Sequence, residues 1–204
     1  MERLINELLR ESVLKNPLVL SAFKAIDRAD FVPKEKTREA YQNYPLSIGY
    51  GQTISQPYTV AFMMELLDPK PEQKILEVGS GSGWQTAMLA YIVEEKGKVY
   101  AMEIIPELSE FGKANVAKYP DLAKRVTFSA HSAENGLPKH APFDRIIAAA
   151  SLREIPDAWE MQLKIGGKMV FPLRESIYVL TKESSEKFKK EVFHGFVFVP
   201  FVKK

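Results

Sequence analysis

The sequence contains no cysteine and only three histidines, His131, His140 and His194, in 204 residues. The first absence excludes a disulfide framework, a thiolate nucleophile, an iron–sulfur cluster and any thiolate-held zinc. The scatter of the histidines argues against a His-based site, so no metal is expected. An excess of one charge is lacking as well: 28 Lys+Arg face 26 Asp+Glu, a net +2. So weak a field gives no reason to expect nucleic acid as a partner. No run approaches the ~18 consecutive apolar residues of a membrane span. The opening MERLINELLRES carries charges inside its apolar pattern, unlike a signal peptide. What remains is ordinary globular material, 46% hydrophobic and 26% charged, in a length that suits one domain. The expectation is a cytoplasmic, monomeric, single-core protein with no membrane, metal or nucleic acid to hold.

Periodicity then orders the chain. Leu4, Ile5, Leu8 and Leu9 recur at helical spacing, Pro17 interrupts, and residues 18–26 resume the pattern. Residues 27–57 keep neither period and are rich in Pro, Gly, Asn and Gln. The aromatics Phe31, Tyr41, Tyr44 and Tyr50, with Tyr58 just beyond, argue against disorder there. Long irregular segments of this kind are usually functional, so residues 1–57 read as a helical and loop extension draped over a site. Residues 58–204 read as the core. A helix from Pro57 stops at Asp68-Pro69, and strands then alternate with helices: strands at 74–78, 98–102, 125–130 and 143–149, helices at 84–93, 106–117 and 156–163. Three strands, 168–171, 176–181 and 192–199, close the chain, and the last two have no room for a helix between them. Alternation of this kind predicts a doubly wound, mostly parallel α/β sandwich with an antiparallel edge.

One local motif stands out. Glu77-Val78-Gly79-Ser80-Gly81-Ser82-Gly83 follows a strand and precedes a helix. Glycines there permit a sharp turn and close approach to a ligand, and the helix start offers free N–H groups. The spacing is G-x-G-x-G rather than the dinucleotide G-x-G-x-x-G, and no G-x-x-x-x-G-K-[ST] occurs. Glu103, at the end of the next strand and 24 residues after Gly79, is placed to accept hydrogen bonds from both hydroxyls of a ribose. Such a strand-end carboxylate is expected to contribute little to the core. Glu77 adds a second acid. Two carboxylates beside the loop would repel a pyrophosphate but suit a ligand carrying an amine and a sulfonium. That favours S-adenosylmethionine over a nicotinamide dinucleotide.

At this point the sequence resembles a known family. Asp30-Phe31-Val32-Pro33, Tyr50-Gly51-Gln52-Thr53-Ile54-Ser55-Gln56-Pro57 and Leu76 to Gly83 look like the protein-L-isoaspartate O-methyltransferases. Pro142-Phe143-Asp144-Arg145-Ile146-Ile147, Glu154-Ile155-Pro156, the pair Gly166-Gly167 and the terminal Phe198-Val199-Pro200 keep the same order. The glycine loop is shared by most S-adenosylmethionine methyltransferases; the G-Q-T-I-S-Q-P segment is far more specific. The resemblance implies a seven-stranded, Rossmann-like methyltransferase sandwich that methylates the α-carboxyl of isoaspartyl residues in damaged proteins and peptides. It implies cofactor contacts at Glu77, Gly79, Ser80, Gly81, Gly83 and Glu103, with Ser132 and Ala133 near the adenine. It also implies substrate contacts at Thr53, Ile54 and Ser55, with Ser55 catalytic.

Two departures qualify the match. The family's usual Gly-Asp-Gly after the third core strand is His131-Ser132-Ala133 here, leaving the Ser132 hydroxyl as the acceptor for the adenine amine. The usual Thr-Ala-Ala is Ala149-Ala150-Ser151. The first leaves open a relative that binds without transferring methyl, the second a changed acceptor. For Ser55 two roles stand side by side: orienting an acceptor carboxylate, and capping the helix that starts at Pro57. Trp84 fits either cofactor contact or core, and His131 reads as a loop residue without function.

Overall fold

The computed structural model describes residues 1–202. Two short helices open it, α1 (Glu2–Arg10) and α2 (Pro17–Ala25). The break between them is locally encoded. Pro17 has no N–H to leave unpaired and takes the first position of α2, while the Asn16 side chain accepts the Leu18 N–H at 2.9 Å. Two 3-10 turns follow at Arg28–Phe31 and Lys34–Glu39, then a hairpin of β1 (Leu46–Gly49) and β2 (Gln52–Ile54). Periodicity missed this hairpin because strands of four and three residues are too short to show an alternation. Its turn needs left-handed backbone at Gly49, Tyr50 and Gly51, which glycine supplies at two of the three positions.

The core alternates as expected: α3 (Pro57–Leu67), β3 (Lys74–Val78), α4 (Trp84–Val93), β4 (Lys98–Met102), α5 (Pro106–Val116), α6 (Pro120–Ala123) and β5 (Val126–Ser129). Then come β6 (Phe143–Ala148), α7 (Asp157–Gln162), β7 (Leu163–Leu173), β8 (Ser176–Lys182) and β9 (Phe188–His194). Seven strands make one sheet in the order β5-β4-β3-β6-β7-β8-β9. Pairs from β5 to β7 are parallel, and β8 pairs antiparallel with both its neighbours. The chain runs outward from β3 to β5 and restarts at β6 on the other side. That reversal opens a crevice beyond the carboxyl ends of β3 and β6, the general ligand position in such sheets.

The final strand differs from the expected 192–199. It begins at Phe188 and stops at His194, because Gly195 takes φ +90° and turns the chain away. The charged run Lys189-Lys190-Glu191 forms part of the sheet edge, where charge discourages pairing with another chain. Residues 197–202 are thereby released to lie over the crevice. Ser151 N–H donates to Val199 O, and Phe201 N–H to Ser151 O, both at 2.8 Å.

Helix α4 is apolar all round because it is covered all round, by the sheet on one side and α2 on the other. Phe23 meets Trp84 edge-on at 5.4 Å. At the start of α4 the backbone of Gly83 lies against Gly112 of α5: a Cβ on Gly83 would fall 2.7 Å from Gly112 O and 3.1 Å from Val116 Cγ2. Gly83 also has φ +82°. Gly83→Ala is therefore expected to cost about 1–3 kcal/mol through overpacking and strain. Urea denaturation checks this; a midpoint equal to that of the parent protein would show that the α4–α5 contact opens freely.

Candidate active site

The crevice holds a cavity of about 640 Å³, within the usual size of small-molecule sites. Its floor is the glycine loop. Gly79 and Ser80 N–H groups both donate to Met102 O, at 2.8 and 3.1 Å, so the loop is pinned across the end of β4. From α5, Asn115 Nδ2 donates to Ser82 O at 3.0 Å. Glu103 completes the fastening. One of its carboxylate oxygens accepts the Gly81 N–H at 3.0 Å and the other the Ile105 N–H at 3.1 Å. Each oxygen keeps a further lone-pair direction for a ligand donor.

Glu77 is a different kind of acid. It is buried, and Gln85 Nε2 donates to its Oε1 at 3.1 Å, while Oε2 has no partner. Burial pushes its pKa from the ordinary 4.5 up to about 7; Thr86 and Gln85 pull it back in part, and the charge of Glu103 adds to the rise. Ser80 Oγ is likewise buried without a partner. Both orphaned groups belong to the cavity wall. Trp84 Nε1, in the same wall, is a third. Unpaired buried polar atoms are costly and rare in a folded protein, so a wall that holds three is shaped for a polar ligand.

Of the residues singled out in the sequence, Glu77, Gly79, Ser80, Gly81, Glu103, Ala133, Thr53, Ile54 and Ser55 line this one cavity. Gly83 and Ser132 stand outside its wall. Gly83 serves the contact with α5 described above. Ser132 Oγ accepts the Glu134 N–H at 3.4 Å in a local turn, and its neighbours His131 and Ala133 line the cavity instead. Ser55 does not cap α3. The capping position falls to Gln56, whose own side chain closes no capping bond; the Tyr58 N–H is taken instead by Asn43 Oδ1. Trp84 is both core and wall, being 1% exposed yet bordering the cavity. The sequence reading missed the C-terminal contribution of Phe198, Val199 and Phe201, whose apolar run reads as more strand.

The comparisons with known proteins bear on this arrangement. The family model described as protein-L-isoaspartate(D-aspartate) O-methyltransferase matches residues 1–204. The chain belongs to this family. Among its relatives, the protein-L-isoaspartate O-methyltransferase of Hyperthermus butylicus is 41% identical over 98% of this chain and 87% of its own. That of Pyrobaculum islandicum is 40% identical over 97% of each. A crystal structure of the corresponding Plasmodium falciparum protein, in complex with S-adenosyl-L-homocysteine, superimposes with a TM-score of 0.88. It covers 99% of this chain and 98% of its own at 24% identity, and so speaks to the fold.

The family's Thr-Ala-Ala position also acquires a structural account. Ala149 packs opposite Gly79, 3.9 Å from where a Cβ there would stand. Ser151 donates its hydroxyl to Arg174 O at 2.9 Å and anchors the C-terminal segment through its backbone. Its hydroxyl is therefore occupied by the turn between β7 and β8, and its backbone by the C-terminal segment.

Glu103, expected from sequence to contribute little to the core, also fastens the glycine loop. Glu103→Ala leaves the part-buried N–H groups of Gly81 and Ile105 without their acceptors, which is expected to cost about 1–3 kcal/mol of stability. Glu103→Gln, whose amide oxygen accepts one of the two, is expected to lose less. Equal urea midpoints for parent and Ala variant would show that the carboxylate does not fasten the loop.

Proposed function

We propose that this chain transfers the methyl group of S-adenosylmethionine to the α-carboxyl of L-isoaspartyl residues in damaged proteins and peptides, as a repair methyltransferase. The observation that carries the reading is that one cavity joins the acid-flanked glycine loop to the Gln52-Thr53-Ile54-Ser55-Gln56 segment. The residues present fit the cofactor: Glu77 Oε2 and Ser80 Oγ are buried without partners, and Glu103 has acceptor capacity left. In this reading Glu77 and Ser80 face the amino-acid end and Glu103 the ribose, with Gly79 and Gly81 allowing close approach. Residues 1–57, with the C-terminal stretch 197–202, act as the cover and residues 58–196 as the core of a single unit. A net charge of +2 and the lack of cysteine support a cytoplasmic enzyme acting on protein rather than nucleic acid. Among the described residues no helix is long and apolar enough to cross a membrane.

When bound, the cofactor supplies a methyl group made electrophilic by the adjoining sulfonium. The acceptor needs little help to meet it. A carboxyl of ordinary pKa, ~4, is already an anion at neutral pH, so no general base is required. What the chain supplies is orientation and exclusion of water, which can lower such a barrier by ~7–11 kcal/mol. Ser55 holds one carboxylate oxygen, with the backbone of Thr53 and Ile54 beside it. The hairpin and residues 197–202 close the cavity from two sides. The direct test is label transfer from the methyl-labelled cofactor to a matched peptide pair. Label on the isoaspartyl peptide and not on its aspartyl twin supports the reading; label on neither overturns it.

Two predictions follow from the assigned roles. Ser55 caps nothing, so Ser55→Ala is expected to melt near the parent temperature. It loses a hydrogen bond to a charged acceptor, about 1.5–3 kcal/mol, or roughly 10–150-fold in kcat/KM. Parent-like turnover by Ser55→Ala on an isoaspartyl peptide would remove Ser55 from the reaction.

The second concerns pH. With a folded-state pKa of about 7, Glu77 is protonated in the ligand-free protein below neutrality, and a cationic amine binds only by expelling that proton. Affinity for S-adenosylhomocysteine should rise up to about tenfold per pH unit as pH approaches 7 from below, then level off. Stability of the ligand-free protein runs the other way. A raised carboxyl pKa means the folded state holds the extra proton, so stability is lost between about pH 4.5 and 7. Calorimetric titrations across this range, repeated on Glu77→Gln, check both signs. A flat affinity profile for the parent protein would place the amine elsewhere.

A further inference from the structure

Arg28 is fully buried, 0% exposed, and none of its hydrogen bonds goes to a carboxylate. Its four donor contacts all end on backbone carbonyls. Nη1 donates to Ala40 O at 2.8 Å and Gln42 O at 3.1 Å; Nη2 donates to Tyr44 O at 3.1 Å and Ser55 O at 3.0 Å. Three of those carbonyls precede the β1–β2 hairpin and the fourth follows it. One planar side chain therefore gathers both ends of the segment that walls the cavity. The guanidinium also lies 5.3 Å from the Trp84 ring, at the start of the helix behind the glycine loop. Burial lowers its pKa to about 10, which leaves it charged at neutral pH. A buried charge without a counter-charge is expensive, and a plain structural tie does not need one.

We propose that Arg28 is a positioning residue for the methyl acceptor. It fixes the backbone at Ser55, and with it Thr53 and Ile54, in the register that lets this stretch receive a carboxylate. The inference rests on the acceptor assignment given above and adds to it what holds that stretch in place. Four carbonyls converge on a rigid fork of N–H groups, a geometry that a lysine ammonium with three donors on a flexible stem does not reproduce. The fixed cation also sets a positive field behind the acceptor wall, favourable to an arriving anion. Arg28 acts through Ser55 and does not itself line the cavity.

The test compares the parent protein with Arg28→Lys, which keeps the charge and loses the fork. Arg28→Met, of similar volume without the charge, serves if the lysine variant does not fold. Three quantities are read on the full chain: KM and kcat for an isoaspartyl peptide, the Kd of S-adenosylhomocysteine by calorimetry, and amide hydrogen exchange over residues 42–56. Positioning predicts that peptide KM rises by about tenfold or more and that exchange over 42–56 quickens about tenfold, while Kd stays within about twofold. A lowered melting temperature with parent-like KM and exchange would reduce Arg28 to a structural tie and overturn the proposal. A parallel rise in Kd and KM would also overturn it, since the effect would then run through Trp84 and the glycine loop. If the parent protein itself methylates no isoaspartyl peptide, the functional reading fails together with the acceptor role. An active parent with an unaltered variant sinks this inference alone.

Discussion

The carbonyl of Met102 accepts two N–H groups, from Gly79 and Ser80, and the carboxylate of the next residue accepts a third from Gly81. This fastening of one strand end to the loop that leaves its neighbour is the constraint on which the rest of the site depends. The loop must turn back over β4 in that short span, which requires positive φ at Gly79 and Gly81 and is cheap only for glycine. It must then enter α4 beside α5, where Gly83 and Gly112 let the two backbones meet. Once the loop is held, Glu77 points from the buried strand into the cavity and Glu103 stands at its rim. The two acids differ because their surroundings differ. Each oxygen of Glu103 takes a backbone N–H, whereas Glu77 has a single amide donor and a buried second oxygen without a partner.

Much of this was legible in the sequence, for reasons that can be named. Leu76 to Gly83 shows its strand, turn and helix start because hydrophobic runs and glycines are local signals. The order of strands and helices implies the doubly wound sheet because parallel strands need crossovers. Where the reading failed, the deciding forces were not local. The run Phe196-Val197-Phe198-Val199 looks like a strand, but Gly195 ends the ladder one residue earlier, and the Ser151 backbone takes up the segment that follows. Ser132 was chosen because it occupies the family's acidic position. Here the chain turns after β5, Ser132 Oγ takes the Glu134 N–H, and residues 131 and 133 take the cavity side. Charge counting could not expose Arg28, since its partners are carbonyls that every residue carries.

The cover and the floor also solve different problems with different materials. The floor must present polar groups in fixed positions, so it is built on a parallel sheet whose strands are buried on both faces. The cover must exclude water and still admit a protein chain, so it is made of a two-stranded hairpin, 3-10 turns and a C-terminal stretch. None of these could hold its place through regular backbone pairing alone, because a lone hairpin is marginal in water. Tethers outside the sheet supply the rest. Glu65 takes the N–H groups of Lys15 and Asn16, and Tyr119 donates its hydroxyl to Asp30 at 2.7 Å. Asn43 Oδ1 accepts the Tyr58 N–H at 3.0 Å. Each ties residues 1–57 to the core through side chains.

This division bears on how the reaction is accelerated. A carboxylate attacking a sulfonium methyl brings opposite charges together, so its transition state is less polar than the separated ions. Water stabilises those ions more than the transition state, and excluding it favours the reaction. A wall of Ile48, Ile54, Val199 and Phe201 does that without any acid or base. Polar groups in such a wall are useful only where they orient the acceptor, so under the proposed assignment a single hydroxyl at Ser55 serves better than a cluster of charged donors. Stronger hydrogen bonds to the acceptor anion would stabilise the ground state more than the transition state and slow the transfer.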